Sequence, residues 1–135
     1  MTLEECYRAL GGSYSDVLAR LIDDKMITKY LNKFTEDTCY RDIFTALENN
    51  DYETAFRAAH TLKGICLNLG LENLYKAAYK VTEALRQKTD ETTPEMLDEL
   101  KSSYNSSILA IQQLYYAVFA AGKPIYSQGC KRLCE

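Results

Sequence analysis

The stretch Phe56-Arg57-Ala58-Ala59-His60-Thr61-Leu62-Lys63-Gly64 decides how this chain is read, and it carries the only histidine among 135 residues. It lies within a strongly periodic segment, Asp51 to Leu69. Side chains step round an α-helix by about 100° per residue. With His60 as the origin, Ala55, Ala58, Leu62 and Leu69 cluster on the opposite side, flanked by Ala59, Ile65 and Cys66. That is a broad apolar stripe of the kind that faces a core. Phe56, Arg57, Lys63, Gly64 and Leu67 share the histidine's side. The phase therefore predicts an outward imidazole in the middle of a helix.

A lone histidine is most often a packed or incidental residue, but its neighbours here are unusual for a plain solvated face. Glycine in a helix interior costs about 1 kcal/mol relative to alanine. Gly64 beside an outward histidine therefore points to room kept for a partner. Phe56 and Leu67 add a small apolar rim. Lys63 and Arg57 place positive charge beside the ring, which suits a phosphoryl group. Each also has a plainer reading. Lys63 is equally an ordinary exposed lysine, and for Arg57 the solvated reading is favoured.

Ala59-His60-Thr61-Leu62-Lys63-Gly64 is followed by Leu69-Gly70-Leu71 and preceded by Asp51-Tyr52-Glu53-Thr54-Ala55-Phe56-Arg57. Together these resemble the signature of histidine-containing phosphotransfer (HPt) domains. By helix order the resemblance covers residues 25–120, and its specific residues are confined to 51–71. It implies that His60 is the phosphoacceptor, reacting through Nε2, and that Lys63 screens phosphate charge. The face read from the phase, with Phe56, Arg57, Gly64 and Leu67, is then expected to be the docking surface for the partner. The implied partners are a response-regulator receiver domain, a sensor histidine kinase, or both. Mg²⁺ is expected on the receiver, and no cofactor or metal on this chain. A phosphocarrier without kinase activity of its own is expected, because the chain has no ATP-binding glycine loop. Ile65 departs from the serine or alanine that often follows the glycine in this family. Its phase puts it at the core edge, so altered packing is expected with no loss of activity.

The rest of the chain reads as helices. Thr2 and Glu5 open a first segment with a capping box, and Gly11-Gly12 stops it. Ser13 to Ile22 is a second short helix with Val17, Leu18, Leu21 and Ile22 inward. Asp23-Asp24 opens a third over 25–35, with Met26, Ile27, Tyr30, Leu31 and Phe34 at helical spacing. Past a break near Glu36-Asp37 a helix runs to Glu48, with Tyr40, Ile43, Phe44 and Leu47 inward. Asn50 as N-cap with Glu53 would start the His60 helix, and Gly70 would end it. A seam of Leu71, Leu74, Ala78, Val81 and Leu85 predicts a helix from Leu71 to Lys88. Thr93-Pro94 starts the last helix. It runs to Ala121 through Leu97, Leu100, Tyr104, Ile108, Ile111, Leu114, Tyr115 and Val118, and Gly122-Lys123-Pro124 ends it.

No stretch alternates long enough for a strand. The expected fold is all-α: an antiparallel four-helix bundle over 37–121 with additional short N-terminal helices. As regions, 1–24 is an N-terminal helical extension, 25–121 the HPt bundle and 122–135 a flexible tail. The net charge of −3 and the lack of a basic block argue against nucleic-acid binding. No apolar run reaches the roughly 20 residues of a membrane span, and the polar, acidic start shows no export signal. Five cysteines at irregular spacing then read as free thiols in a cytoplasmic protein. Cys130 and Cys134 have only a weak metal-like spacing. A monomer is expected, and the Met1 start favours a free-standing protein.

Two other functional classes compete. A metalloenzyme or general base would need inward carboxylates at metal spacing, and Glu53 does not sit at the required distance from His60. A helical-bundle adaptor that binds a signalling partner without transferring phosphate is the alternative. The joint presence of His60, Lys63 and Gly64 argues against it.

Overall fold

Side-chain caps mark where most of the helices begin. The computed structural model describes residues 2–120, with side chains through Leu114, and these residues form seven α-helices. They are α1 (Leu3–Leu10), α2 (Tyr14–Leu21), α3 (Asp24–Phe34), α4 (Cys39–Glu48), α5 (Tyr52–Leu69), α6 (Glu72–Ala84) and α7 (Pro94–Ala120). The side chains of Thr2, Ser13, Asp23 and Asp51 accept backbone N–H bonds at the starts of α1, α2, α3 and α5. Thr93 does the same for α7, accepting from the Met96 N–H at 3.2 Å ahead of Pro94. Gly11 and Gly70 end α1 and α5 at φ of 78° and 73°, a region glycine enters without the penalty of a Cβ.

Helices α4 to α7 pack in sequence, each against the next. The connections are short, so neighbours run antiparallel. Aromatic contacts close the bundle between its first and last members: the Tyr40 and Tyr104 rings stack with centroids 3.7 Å apart and planes at 2°. The core takes Ile43 from α4, Leu62 and Cys66 from α5, Leu74 and Val81 from α6, and Leu100 and Ile111 from α7. Before the bundle, α1 lies on α7 and α6, and α2 packs on α3. Residues of both helices, including Tyr7, Leu10 and Val17, join the same buried cluster. The Tyr7 hydroxyl donates to the Leu69 carbonyl at 2.7 Å.

Several expectations need correction. Ile22 is 82% exposed. It lies beyond α2 at φ 78°, so the helical phase that pointed it inward no longer applies there. The helical spacing expected over 25–35 is met by α3, whose buried residues are Ile27, Thr28, Leu31 and Phe34, with Met26 and Tyr30 at its exposed edge. The N-cap of α5 is Asp51 and not Asn50, which takes a left-handed turn conformation at φ 56°. Helix α6 ends at Ala84 rather than Lys88, with residues 85–87 in a turn. The inward placement of Tyr115 and Val118, the end at Ala121, the tail 122–135 and the state of Cys130 and Cys134 lie outside the described residues.

The α5 stripe has also turned. Ala55, Ala59, Leu62, Cys66 and Leu69 are buried, while Ala58 and Ile65 are half-buried. The centre of the buried arc thus lies about 40° from the point opposite His60. Small residues on both partners, Ala55 and Ala59 on α5 and Ala77 and Ala78 on α6, allow the two helices to approach closely.

Candidate phosphotransfer site

That turn decides the surroundings of His60. Gly64, about 40° further round, now lies in the outward direction of α5 by phase, and is itself half-buried. His60 stays exposed but leans towards α6. Phe56 and Lys63 fall on the α6 side of it and are half-buried, whereas Arg57 and Thr61 fall on the α4 side and are exposed.

On the α6 side the site is assembled from ring and charge contacts. The Phe56 and His60 rings lie 5.9 Å apart at 42°. The guanidinium of Arg86, just past the end of α6, sits 5.4 Å from the Phe56 centroid. Arg86 is also paired to Glu83, Nη2 to Oε1 at 2.7 Å and Nε to Oε2 at 3.1 Å. The Lys63 ammonium lies 5.4 Å from the centroid of the Tyr79 ring, a cation–π distance. The Arg86 hydrogen bonds hold the Glu83 carboxyl below the usual carboxylate range, and the charge of Lys63 adds to this.

Above Gly64 there is open space: a Cβ built there meets nothing within 4 Å. Leu67, one turn beyond, is 51% exposed. Phe56, His60, Lys63, Gly64 and Leu67 therefore share one accessible face. Arg57 does not join the α6-side contacts. It lines a cleft between α4 and α5 with Asp42 and Asp51, and its charge helps to lower the Asp51 carboxyl, mainly held down by the Thr54 hydrogen bonds.

Tyr79, Glu83 and Arg86 were not singled out from the sequence. A trace was there: Tyr75, Tyr79 and Glu83 fall at spacings of four on one side of α6, and Arg86 follows three residues later in the turn after it. Its meeting with the His60 stripe depends on how the two helices rotate against each other.

The described cysteines, Cys6, Cys39 and Cys66, are free. Burial pushes the Cys6 thiol up to about 11 and, with the Asp37 hydrogen bond, Cys39 up to about 12. Neither is a poised nucleophile. Among the described residues no group of His, Cys, Asp and Glu could hold a metal ion, and no helix is long and apolar enough to cross a membrane.

A helical bundle that presents one open histidine, with a cation a turn away, has the form of a phosphotransfer module. The family model for the Hpt domain matches residues 29–119, and the chain belongs to the Hpt domain family. Its role is phosphotransfer in two-component systems, where Hpt domains interact with receiver domains and kinases. Searches of curated proteins and of solved structures found no match.

Proposed function

We propose that His60 is the phosphoacceptor and that this chain shuttles a phosphoryl group between receiver-domain aspartates. The supporting observation is the open face itself: an exposed imidazole with space above Gly64 and the Lys63 ammonium one turn along. Nε2 of the neutral ring forms the N–P bond as the P–O bond to the aspartate breaks. The carboxylate takes that bonding pair, and the ring proton stays on Nδ1. Lys63 screens the phosphoryl oxygens with its ammonium charge. The receiver supplies Mg²⁺ and most of the rate enhancement, so the chain acts as a carrier and has no kinase activity alone. Phe56, Gly64 and Leu67 form the docking rim, with Arg57 at its α4 edge. A cytoplasmic monomer fits this role.

The test is transfer of labelled phosphate from a phosphorylated receiver. Wild-type protein should take up label in an acid-labile, base-stable form, and His60→Gln should take up none while its helical circular dichroism is unchanged. Undiminished labelling of the variant would end the assignment of His60. A wild-type chain that binds receivers without ever accepting label would instead be the non-transferring adaptor.

A further inference from the structure

Lysine brings four rotatable bonds to a site, so a lysine that acts on one neighbouring group works better when something fixes its direction. On this chain the fixing elements come from α6. The Tyr79 ring lies under the Lys63 ammonium at 5.4 Å, and the Glu83 carboxylate is close enough to feel its charge. Tyr79 is 46% exposed, so its contact with Lys63, the residue one turn along α5 from His60, sits at the surface and not in the core. Its ring also leans on Tyr75, with centroids 6.3 Å apart, which limits its own motion. Glu83 is already engaged by Arg86, which leaves the ring as the partner dedicated to Lys63.

We infer that Tyr79 is a positioning residue for phosphotransfer: its ring holds the Lys63 ammonium beside the imidazole, on the side from which phosphoryl oxygens on His60 can be screened. The inference rests on the reading of His60 as phosphoacceptor, and it acts only through Lys63. The aromatic face supplies the attraction, so the hydroxyl is dispensable.

The experiment is a double-mutant cycle read by single-turnover transfer from a phosphorylated receiver, on the full chain. Tyr79→Leu should slow transfer by about two- to fivefold, the range of an exposed cation–π contact. Tyr79→Phe should keep the wild-type rate. In a Lys63→Ala background, Tyr79→Leu should change nothing further. Melting temperatures of both Tyr79 variants accompany the rates, and a purely structural role would lower rate and stability together in either background. An unchanged or faster rate in Tyr79→Leu overturns the proposal, as does an equal loss without Lys63 or a failure of phenylalanine to restore the rate. Loss of all labelling in His60→Gln is scored separately, so the proposal can fail while the phosphoacceptor assignment stands.

Discussion

Gly64 shows how much a single missing Cβ decides. The helical phase placed it outward, and the space above it is open. Alanine there meets no neighbour and relieves the backbone entropy of glycine, so Gly64→Ala should keep or raise stability, by up to ~1 kcal/mol. Gly64→Gln should fold equally well and yet block transfer, because its side chain fills the partner's space. Thermal melts and transfer assays on both variants check this. A lower melting temperature in both would mean that another part of the chain needs the space. The outward phase of His60, Lys63 and Gly64 was legible in the sequence, since it depends on one helix, whereas the roles expected of His60 and Lys63 came with the family resemblance. Tyr79 and Arg86 were not legible, because their proximity to Lys63 and Phe56 is set by the rotation of α5 against α6.

At the scale of the element, the start of α5 separates two adjacent residues that the sequence does not easily distinguish. Asn50 and Asp51 both belong to the residue types that cap helices. The structure gives the turn to Asn50 at φ 56° and the cap to Asp51, which accepts from the Thr54 N–H at 3.2 Å and its hydroxyl at 2.7 Å. Asp51→Ala should therefore lower the melting temperature and speed amide exchange in the first turn of α5. Asn50→Gly should be tolerated, because glycine takes a positive φ freely. The Asp51 carboxyl is held below its usual value. A depressed folded value means that its stabilisation is present above the unfolded value and is lost as pH falls through the folded one. The stability difference between wild type and Asp51→Ala should therefore shrink below about pH 4. A difference that stays constant down to pH 2 would exclude the cap as its source.

Helix ends account for the other misreadings at this scale. Periodicity holds only while the helix lasts, and Ile22 stands one residue beyond α2, where the backbone has already left the helical region. At the far end of α5, Arg20 from α2 donates to the carbonyls of Leu67 at 3.2 Å and Asn68 at 3.1 Å. These are among the last carbonyls of α5, which have no partner within the helix. Arg20 lies more than forty residues away in the sequence. No local pattern announces such a contact.

For the whole molecule, the bundle and its antiparallel order follow from apolar spacing and short connections, and both were legible. The attachment of α1 and α2 was not. It depends on Gly70, where a Cβ would collide with Val17 and press on Tyr7, and on Gly12, where one would meet the Gly70 carbonyl. These glycines let the first two helices seat on the corner between α5 and α6. The buried Tyr7 hydroxyl serves the Leu69 carbonyl at that corner. Tyr7→Phe should cost about 1–2 kcal/mol in urea unfolding, because it leaves a buried carbonyl without its donor. Transfer through His60 should be unaffected, since the corner lies away from the open face. A loss of transfer with no loss of stability would contradict that separation.

The open space beside His60 has a consequence in time. On the proposed reading, a phosphoryl group on His60 would meet open space on the Gly64 side, where water can reach it as well as a protein can. Nothing described in the fold acts as a latch. On that reading of His60, a message held on this ring would age from the moment it is written, and its delivery would be a race between the next collision and hydrolysis. The abundance of the receiving protein would then help to set how faithfully the message arrives.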